Sequence, residues 1–376
     1  MDAASLDLAT AEEASSRLGI SRASLYAYVS RGLIRSFSSP HDPRQRLYAL
    51  EDVETLAERK ARFRRPAVAA ATALDWGLPV LETSITQIRD GRLFYRGQDA
   101  IALARTATLE DVAQLLTGAL DEEAFRRSSR LPVPLPGPAF GPHDFVAQAI
   151  RLLSEPAPKE TRAAEVAAIL RLVAAAASGA DPVTEPIHRH LASAWKAPPR
   201  AAEAIRRTLV LCADHELSSS AFAVRVTAST GASLRNAVIA GLAALSGPYH
   251  GGMTERARTF LDAPGTSPHP SLRHRLYPEG DPRAGAVLER VPLLASDATT
   301  LRAMSVAPNA GPSIDVALVM MERAYGLPVG AAFNLFAVGR TAGWIAHAIE
   351  QRSQATLIRP RARYIAADET SARTSS

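Results

Sequence analysis

The 376-residue sequence is poor in cysteine, in lysine and in long apolar runs. Its single cysteine, Cys212, excludes an intramolecular disulfide and is typical of a protein kept in a reducing cytoplasm. Because no stretch of about 18 uncharged apolar residues occurs, we expect no membrane span. The acidic start lacks the pattern of a secretory signal, so we expect a cytoplasmic protein. We expect no metal site, because no group of histidines, cysteines and carboxylates has ligand spacing.

The charge of the chain is carried almost entirely by arginine. All but three of the 43 basic residues are arginines, and the net charge is only +5. A single arginine therefore says little about function here. The remaining composition, 47% hydrophobic and 22% charged, is that of an ordinary globular chain with room for one large and one small domain.

Residues 1–66 are predicted to form a separate unit. Thr10 and Glu13 form a capping box that begins one helix, and Ser21 caps a second helix over Arg22–Ser30. Two strand-like runs then form a hairpin, and a third helix follows over Glu51–Arg64. This order resembles the winged helix-turn-helix domain of MerR-type regulators and excisionases, whose second helix enters the major groove of DNA.

The resemblance implies DNA binding through residues 1–66. However, these residues comprise 11 basic and nine acidic side chains, a weaker positive charge than DNA binders usually show. A docking or dimerisation module of the same shape is the alternative. If DNA is bound, the side chains on or near the reading face are Arg22, Ser24, Tyr26 and Tyr28, and those near phosphates are Arg35, Arg44 and Arg46.

The stretch Cys212–Gly252 places one histidine at each end of a segment with helical periodicity. His215 lies in the tetrapeptide Ala-Asp-His-Glu, and His250 lies between a proline and two glycines. Ser233 is a plausible N-cap for the helix, and Gly247–Pro248 ends it. The two glycines after His250 add no side chains, which would let a ligand approach the backbone closely.

The later chain offers groups suited to the condensation of a thioester with an α-keto acid. Asp315 lies in an otherwise apolar segment, where burial would raise its pKa and make it a better base. His250 could donate a hydrogen bond to the thioester oxygen, and His274 could donate one to the ketone. The fork-shaped donors that match carboxylates are Arg283, Arg340 and Arg359.

These motifs, in this order, resemble the citrate synthase family over roughly residues 75–365. The resemblance implies a mainly α-helical fold for residues 67–376, with a large helical domain and a smaller helical domain inserted near residues 252–345. It also implies a homodimer, with the active site in the cleft between the two domains. The matching motifs are Tyr-Arg-Gly at 95–97, Ala-Asp-His-Glu, Gly-Pro-Tyr-His-Gly-Gly, Asp-Pro-Arg at 281–283 and a late Arg-Pro at 359–360.

The resemblance also assigns roles to single residues. His250 would stabilise the enol of acetyl-CoA, Asp315 would abstract the methyl proton, and His274 would polarise the oxaloacetate carbonyl. The CoA thioester is a substrate, and no cofactor is implied. The groups that would bind oxaloacetate are His215, Arg283, Arg340 and, from the partner subunit, Arg359.

Readings other than citrate formation also stay open, among them a scaffold without catalytic activity. A 2-methylcitrate synthase would use propionyl-CoA, and one methylene is too small a difference to locate in the sequence. A DNA-binding transcriptional regulator could instead use a synthase-like domain to sense metabolites. The chain also departs from the family motifs, with Ser271 and Arg273 in place of glycines and Ser218 and Ser313 in place of asparagines. These changes concern substrate identity and rate more than reaction class.

Overall fold

The computed structural model describes residues 7–30, 33–39, 45–64, 81–118, 122–126, 131–156, 161–264, 276–277, 279–304, 311–362 and 364. It divides the chain into two compact units, Met1–Glu82 and Thr83–Ser376. The predicted boundary near residue 66 lies outside the described residues and stays a prediction. His274, Arg44, Ser271 and Arg273 also lie outside them.

The described part of the first unit contains β1 (Leu8–Thr10), α1 (Ala11–Leu18), α2 (Arg22–Ser30), β2 (Ser36–Ser38), β3 (Arg46–Ala49) and α3 (Leu50–Arg64). Its antiparallel sheet has the strand order β1-β3-β2. The predicted capping box is confirmed: Glu13 accepts a hydrogen bond from the Thr10 backbone N–H at 2.8 Å, and the Thr10 hydroxyl accepts one from the Glu13 N–H. A small core that includes Leu25, Ile34 and Tyr48 holds these elements together.

The described part of the second unit is helical apart from one small antiparallel sheet. That sheet comprises β4 (Thr86–Arg89), β5 (Arg92–Tyr95) and β6 (Gln98–Asp99). The helices are α4 (Ala100–Leu103), α5 (Leu109–Thr117), α6 (Glu122–Arg126), α7 (Gly141–Ser154), α8 (Arg162–Ser178), α9 (Ile187–Ala194), α10 (Ala201–Leu211), α11 (Ser219–Ser229), α12 (Leu234–Leu245), α13 (Met253–Asp262), α14 (Pro282–Leu288), α15 (Ala295–Met304), α16 (Ile314–Tyr325) and α17 (Ala331–Gln354).

Helix α17 runs through the core of the second unit. It is buried over most of its 24 residues and packs against α5, α8, α10, α11 and α12. A helix buried on every side can carry polar residues only where they have interaction partners. The buried residues Arg340 and His347 of α17 are therefore expected to interact with polar groups of other segments. The mainly helical fold that we predicted is confirmed, and the inserted small domain near residues 252–345 stays a prediction. No helix among the described residues is both long and apolar enough to cross a membrane.

Candidate functional site

The loop that follows α10 is anchored to helix α17. The carbonyl oxygen of Cys212 accepts a hydrogen bond from Nε of Arg340 at 3.0 Å, and the carbonyl of Ala213 accepts one from the N–H of Gly343 at 3.0 Å. Beside them, the carboxylate of Asp214 lies 3.3 Å from Nε2 of His347, with both side chains fully buried. These contacts fix the backbone immediately before His215.

The same loop is also anchored to the small sheet. Glu216, at a positive φ of 50°, accepts a hydrogen bond from the backbone N–H of Ile88 at 2.9 Å. The buried hydroxyl of Tyr95, from the Tyr-Arg-Gly motif, lies 3.1 Å from the Val210 carbonyl at the end of α10. A non-glycine residue at positive φ persists only where its surroundings hold it. We infer that Glu216 helps to orient this loop.

Two glycines in α17 let the loop approach so closely. A Cβ added to Gly343 would lie 2.2 Å from Oδ1 of Asp214, and one added to Gly339 would lie 2.7 Å from the carbonyl oxygen of Leu209. Glycine destabilises a helix interior relative to alanine, so these two positions are explained by close packing rather than by helix propensity.

His215 emerges from the anchored loop toward the segment before α14. Its Nε2 lies 2.9 Å from the hydroxyl of Tyr277, and the two ring centroids are 5.6 Å apart. Both residues are buried, with Tyr277 only 1% exposed. The sequence pointed to His215 but gave no reason to single out Tyr277.

His250 lies where the sequence predicted, just beyond the end of α12. Ser233 caps that helix as expected, and its hydroxyl accepts a hydrogen bond from Asn236 N–H at 3.1 Å. The close approach to the backbone that we expected at the following glycines is made, at Gly251, by protein atoms. A Cβ on Gly251 would lie 2.4 Å from the Leu245 carbonyl oxygen and 2.4 Å from the Phe333 ring, so protein atoms fill that space.

A serine sets the hydrogen bonding of the His250 ring. The hydroxyl of Ser220 accepts a hydrogen bond from Nε1 of Trp344 at 3.1 Å and lies 2.8 Å from Nε2 of His250. If that hydroxyl donates its one proton to Nε2, the ring proton is on Nδ1. Burial, together with the positive charge of Arg340, lowers the pKa of His250 to about 4. At neutral pH, His250 is therefore a neutral imidazole, and with Ser220 as the donor to Nε2 it can itself donate from Nδ1.

Asp315 lies in the first turn of α16. The N-cap of this helix is Ser313, the serine that replaces an asparagine of the family motif. Burial raises the pKa of Asp315 to about 6, against the opposing positive charges of Arg283 and Arg340. The carboxyl is thus shifted toward neutrality while it stays within electrostatic range of two cations. That combination suits a group that must accept a proton near neutral pH.

Asp281 joins the helix of Arg283 to the helix of Asp315. Its carboxylate accepts hydrogen bonds from Arg283 Nε at 2.9 Å and Nη2 at 2.7 Å. It also accepts one from the backbone N–H of Ile314, at 3.2 Å, at the start of α16. Asp281 therefore orients Arg283 and fixes α14 against α16. A cavity of about 910 Å³ opens beside this junction and is lined in part by Asp281, Gly311 and Pro312.

Arg340 links the two halves of the candidate site. Its side chain is 1% exposed, its Cζ lies 4.7 Å from the centroid of the Phe336 ring, and its Nη1 lies 3.4 Å from the Ser218 hydroxyl. The ring of His250 meets Phe336 edge-on, with centroids 6.2 Å apart. The charge of Arg340 also acts on both Asp315 and His250, which places these groups in one electrostatic environment.

Arg359 contacts none of the described groups of this set. Arg359 is exposed in the extended segment after α17, where the Ile358 N–H donates to the Ser229 hydroxyl at 3.1 Å. His274 lies outside the described residues, so its predicted role stays a prediction. Among the residues that the structure describes, no cluster of three or more histidine, cysteine or carboxylate side chains could hold a metal ion.

Two solved structures show which fold this is. Citrate synthase from Thermotoga maritima matches 77% of this chain and 94% of its own with a TM-score of 0.64 at 24% identity. Citrate synthase from Thermoplasma acidophilum, in a ternary complex with carboxymethyl coenzyme A and oxaloacetate, matches 78% of this chain and 97% of its own with a TM-score of 0.58 at 23% identity. The chain shares the helical fold of these synthases.

Sequence comparison gives the family. The model described as "Citrate synthase, C-terminal domain" matches residues 73–361, so this chain belongs to the citrate synthase family, as its motifs predicted. Citrate synthase 2 of Bacillus subtilis is 31% identical over 192 residues, covering 44% of this chain and 52% of the relative. Citrate synthase of Haloferax volcanii is 35% identical over 190 residues, covering 43% and 50%.

A relative with a different name also matches. The 2-methylcitrate synthase 2 of Corynebacterium glutamicum is 28% identical over 183 residues, covering 42% of this chain and 48% of the relative. The chain thus spans about half the length of the curated relatives that it matches.

Proposed function

We propose that this chain is a citrate synthase-type acyltransferase that condenses acetyl-CoA with oxaloacetate and hydrolyses the product to citrate and CoA. The observation that carries the proposal is the Asp315 carboxyl, whose pKa is raised to about 6 beside two buried arginines. Such a carboxyl is ionised at neutral pH and is more basic than an exposed aspartate, as a base acting on a C–H bond requires.

The remaining groups fit the same reaction. Asp315 removes a proton from the methyl carbon of the thioester, and Nδ1–H of neutral His250 donates to the thioester oxygen as negative charge develops on it. The carbon then attacks the ketone of oxaloacetate, and the ketone oxygen gains a proton, which we assign to His274. Water attacks the thioester carbonyl, and CoA leaves as the free thiol.

Binding of a dicarboxylate is assigned to the buried cations. Arg283 and Arg340 present guanidinium groups that are already oriented by Asp281 and by the Cys212 carbonyl. A pre-oriented guanidinium loses less side-chain entropy when it binds a carboxylate. His215 supplies a further polar contact from the anchored loop.

The reaction is tested by measuring CoA release with acetyl-CoA and with propionyl-CoA, each with and without oxaloacetate. Release that depends on oxaloacetate is expected, and the ratio of kcat/KM for the two thioesters decides between citrate and 2-methylcitrate formation. Equal release without oxaloacetate would instead indicate a thioesterase and would overturn the proposal.

We further propose a homodimer in which Arg359 completes the site of the partner subunit. The support is its position: it is exposed in an extended segment and contacts none of the site groups described in its own chain. The variants Asp315→Asn and Arg359→Ala are each expected to be nearly inactive. After subunit exchange, a mixture of the two should regain up to about one quarter of wild-type activity, because half of the dimers then hold one intact site of two.

The matched control for this complementation is a mixture of Asp315→Asn with Asp315→Asn/Arg359→Ala, which contains no intact site in any pairing. Recovered activity in the control, or none in the test mixture despite subunit exchange seen by native mass spectrometry, would contradict contribution of Arg359 across a dimer.

A second candidate function is DNA binding by the first unit. The observation that favours it is the α1–turn–α2 arrangement beside a three-stranded sheet, with Tyr26 of α2 55% exposed. A broad contact with DNA phosphates is disfavoured, because the Arg35 guanidinium is already bonded to Asp52 at 2.9 Å and to Glu51 at 3.3 Å. DNA binding would therefore depend on the face of α2.

The full chain is accordingly expected to retard duplex DNA from upstream of its own gene in a gel-shift assay, with affinity that falls as salt rises. The double variant Arg22→Ala/Tyr26→Ala should weaken this at least tenfold, because both side chains lie on α2. Arg17→Ala, which removes an exposed pair with Glu54, is the control. The absence of any shift at about 50 mM salt would exclude this function.

A further inference from the structure

Tyr277 contacts two of the groups that the proposed function assigns to oxaloacetate. Its hydroxyl lies 2.9 Å from Nε2 of His215. The guanidinium of Arg283 lies over its ring, with Cζ 5.4 Å from the ring centroid. One buried side chain therefore touches a hydrogen-bonding group from the loop after α10 and a cation from the start of α14.

The phenol constrains the protonation pattern of His215. Burial raises the pKa of Tyr277 well above its ordinary value, so the hydroxyl keeps its proton near neutral pH. A phenol that donates this proton to Nε2 leaves the ring proton of a neutral imidazole on Nδ1. His215 is then held as a donor from a single, defined nitrogen.

The ring constrains Arg283 in a second way. Asp281 accepts hydrogen bonds from Nε and Nη2, which fixes one edge of the guanidinium. The aromatic face of Tyr277 limits rotation of the guanidinium plane about that edge and offsets part of its desolvation. Nη1, which these two hydrogen bonds to Asp281 do not engage, is thereby held in one orientation for a carboxylate.

We propose that Tyr277 is a positioning residue for the α-keto dicarboxylate, acting through His215 and Arg283 rather than by contact with the reacting atoms. The inference rests on the proposed function and adds to it a residue that sets the affinity for one of the two substrates. The two parts of the Tyr277 side chain have different roles: the hydroxyl acts on His215, and the ring acts on Arg283.

The test is the binding of oxaloacetate to the full-length protein by calorimetry, with steady-state kinetics alongside. Tyr277→Phe removes the hydroxyl and keeps the ring. We expect the Kd and KM for oxaloacetate to rise about tenfold, with the KM for the acyl-CoA and kcat changed less than about twofold. Tyr325→Phe, whose hydroxyl lies 3.4 Å from the Arg290 carbonyl outside the site, is the matched control and should bind as wild type does.

A double-mutant cycle distinguishes positioning from a general packing role. In the His215→Asn background, Tyr277→Phe should change the Kd for oxaloacetate by less than about twofold, because the residue through which the hydroxyl acts is gone. An equal loss in both backgrounds would overturn the proposal, as would wild-type affinity in Tyr277→Phe.

The calorimetric readout also separates this inference from the proposed function. Binding of oxaloacetate that depends on Tyr277, without any condensation, would overturn the proposed reaction alone. Condensation that is indifferent to Tyr277→Phe would overturn the inference alone. A wild-type protein that binds no oxaloacetate would overturn both.

Discussion

Replacing Asp315 by asparagine is expected to lower kcat for CoA release by roughly 100- to 10,000-fold, the usual contribution of a positioned general base. The amide keeps the size of the side chain and its place in the first turn of α16 but cannot accept the proton. Because the change removes the base and leaves the cations in place, the KM for oxaloacetate should move little. Initial rates at saturating substrate, together with circular dichroism to confirm folding, measure the effect.

The control for this variant is Asp297→Asn. Asp297 is also a buried carboxyl whose pKa is raised by burial, but it belongs to α15 and pairs with Arg323 at 3.4 Å. Its variant should keep activity within about threefold of wild type, as expected of a change that does not touch reacting groups. Wild-type rates in a folded Asp315→Asn protein would remove the base assignment.

The raised pKa of Asp315 also predicts two pH dependences. Because the base must be ionised, kcat/KM should fall as the pH drops through about 6. For stability, a carboxyl whose folded pKa is raised favours the folded state below its unfolded pKa near 4, and this contribution is lost as the pH rises through about 6. Asp315→Asn should therefore be more stable than wild type at pH 7, by on the order of 1–3 kcal/mol in urea titrations.

Replacing His347 by leucine is expected to lower the free energy of unfolding by about 3–5 kcal/mol, since it leaves the buried Asp214 carboxylate without its imidazole partner. Burial raises the pKa of Asp214, but His347 and Arg340 outweigh it, and the net pKa lies below the ordinary value. The pair thus stabilises the fold above the unfolded pKa of an aspartate, near 4, and this contribution is lost as the pH falls below that value. Chemical denaturation at pH 7 and at a pH well below 4 measures both effects.

The double variant Asp214→Asn/His347→Leu separates the effect of an unpaired charge from the effect of the changed side-chain volume. It should be more stable than His347→Leu alone, because an unpaired amide costs less to bury than an unpaired carboxylate. The exposed pair of Arg17 and Glu54 sets the scale for an ordinary surface contact, and Arg17→Ala should cost less than about 1 kcal/mol. A His347→Leu protein that unfolds at the wild-type urea concentration would contradict a supporting role for this pair.

Local patterns in the sequence predicted the elements that depend on neighbouring residues. The capping box at Thr10, the helix over Arg22–Ser30 and the cap at Ser233 all follow from contacts a few residues apart. The position of His250 just past a broken helix was predicted in the same way, because Gly247–Pro248 acts on the backbone directly. The family motifs then supplied Asp315, Arg283 and Arg340 as candidates.

The supporting residues could not be predicted in this way, because their partners are distant in the chain. Ser220 meets His250 across 30 positions, and Tyr277 meets His215 across 62. Gly343, read locally, is only an unfavourable helix residue, and its reason appears when the Asp214 carboxylate lies against it. Periodicity reports which face of an element is buried, but it does not report what that face meets.

The anchored loop has a practical consequence through its first residue. Cys212 is the only sulfhydryl of the chain, it is fully buried, and burial raises its pKa to about 12. Thiolate is the species that attacks disulfide dyes and alkylating agents, so the native protein should be inert to both. A colorimetric thiol reagent added to a running assay would then record liberated CoA without background from the protein. Unfolding in the same cuvette would release one equivalent per chain and so calibrate the protein concentration.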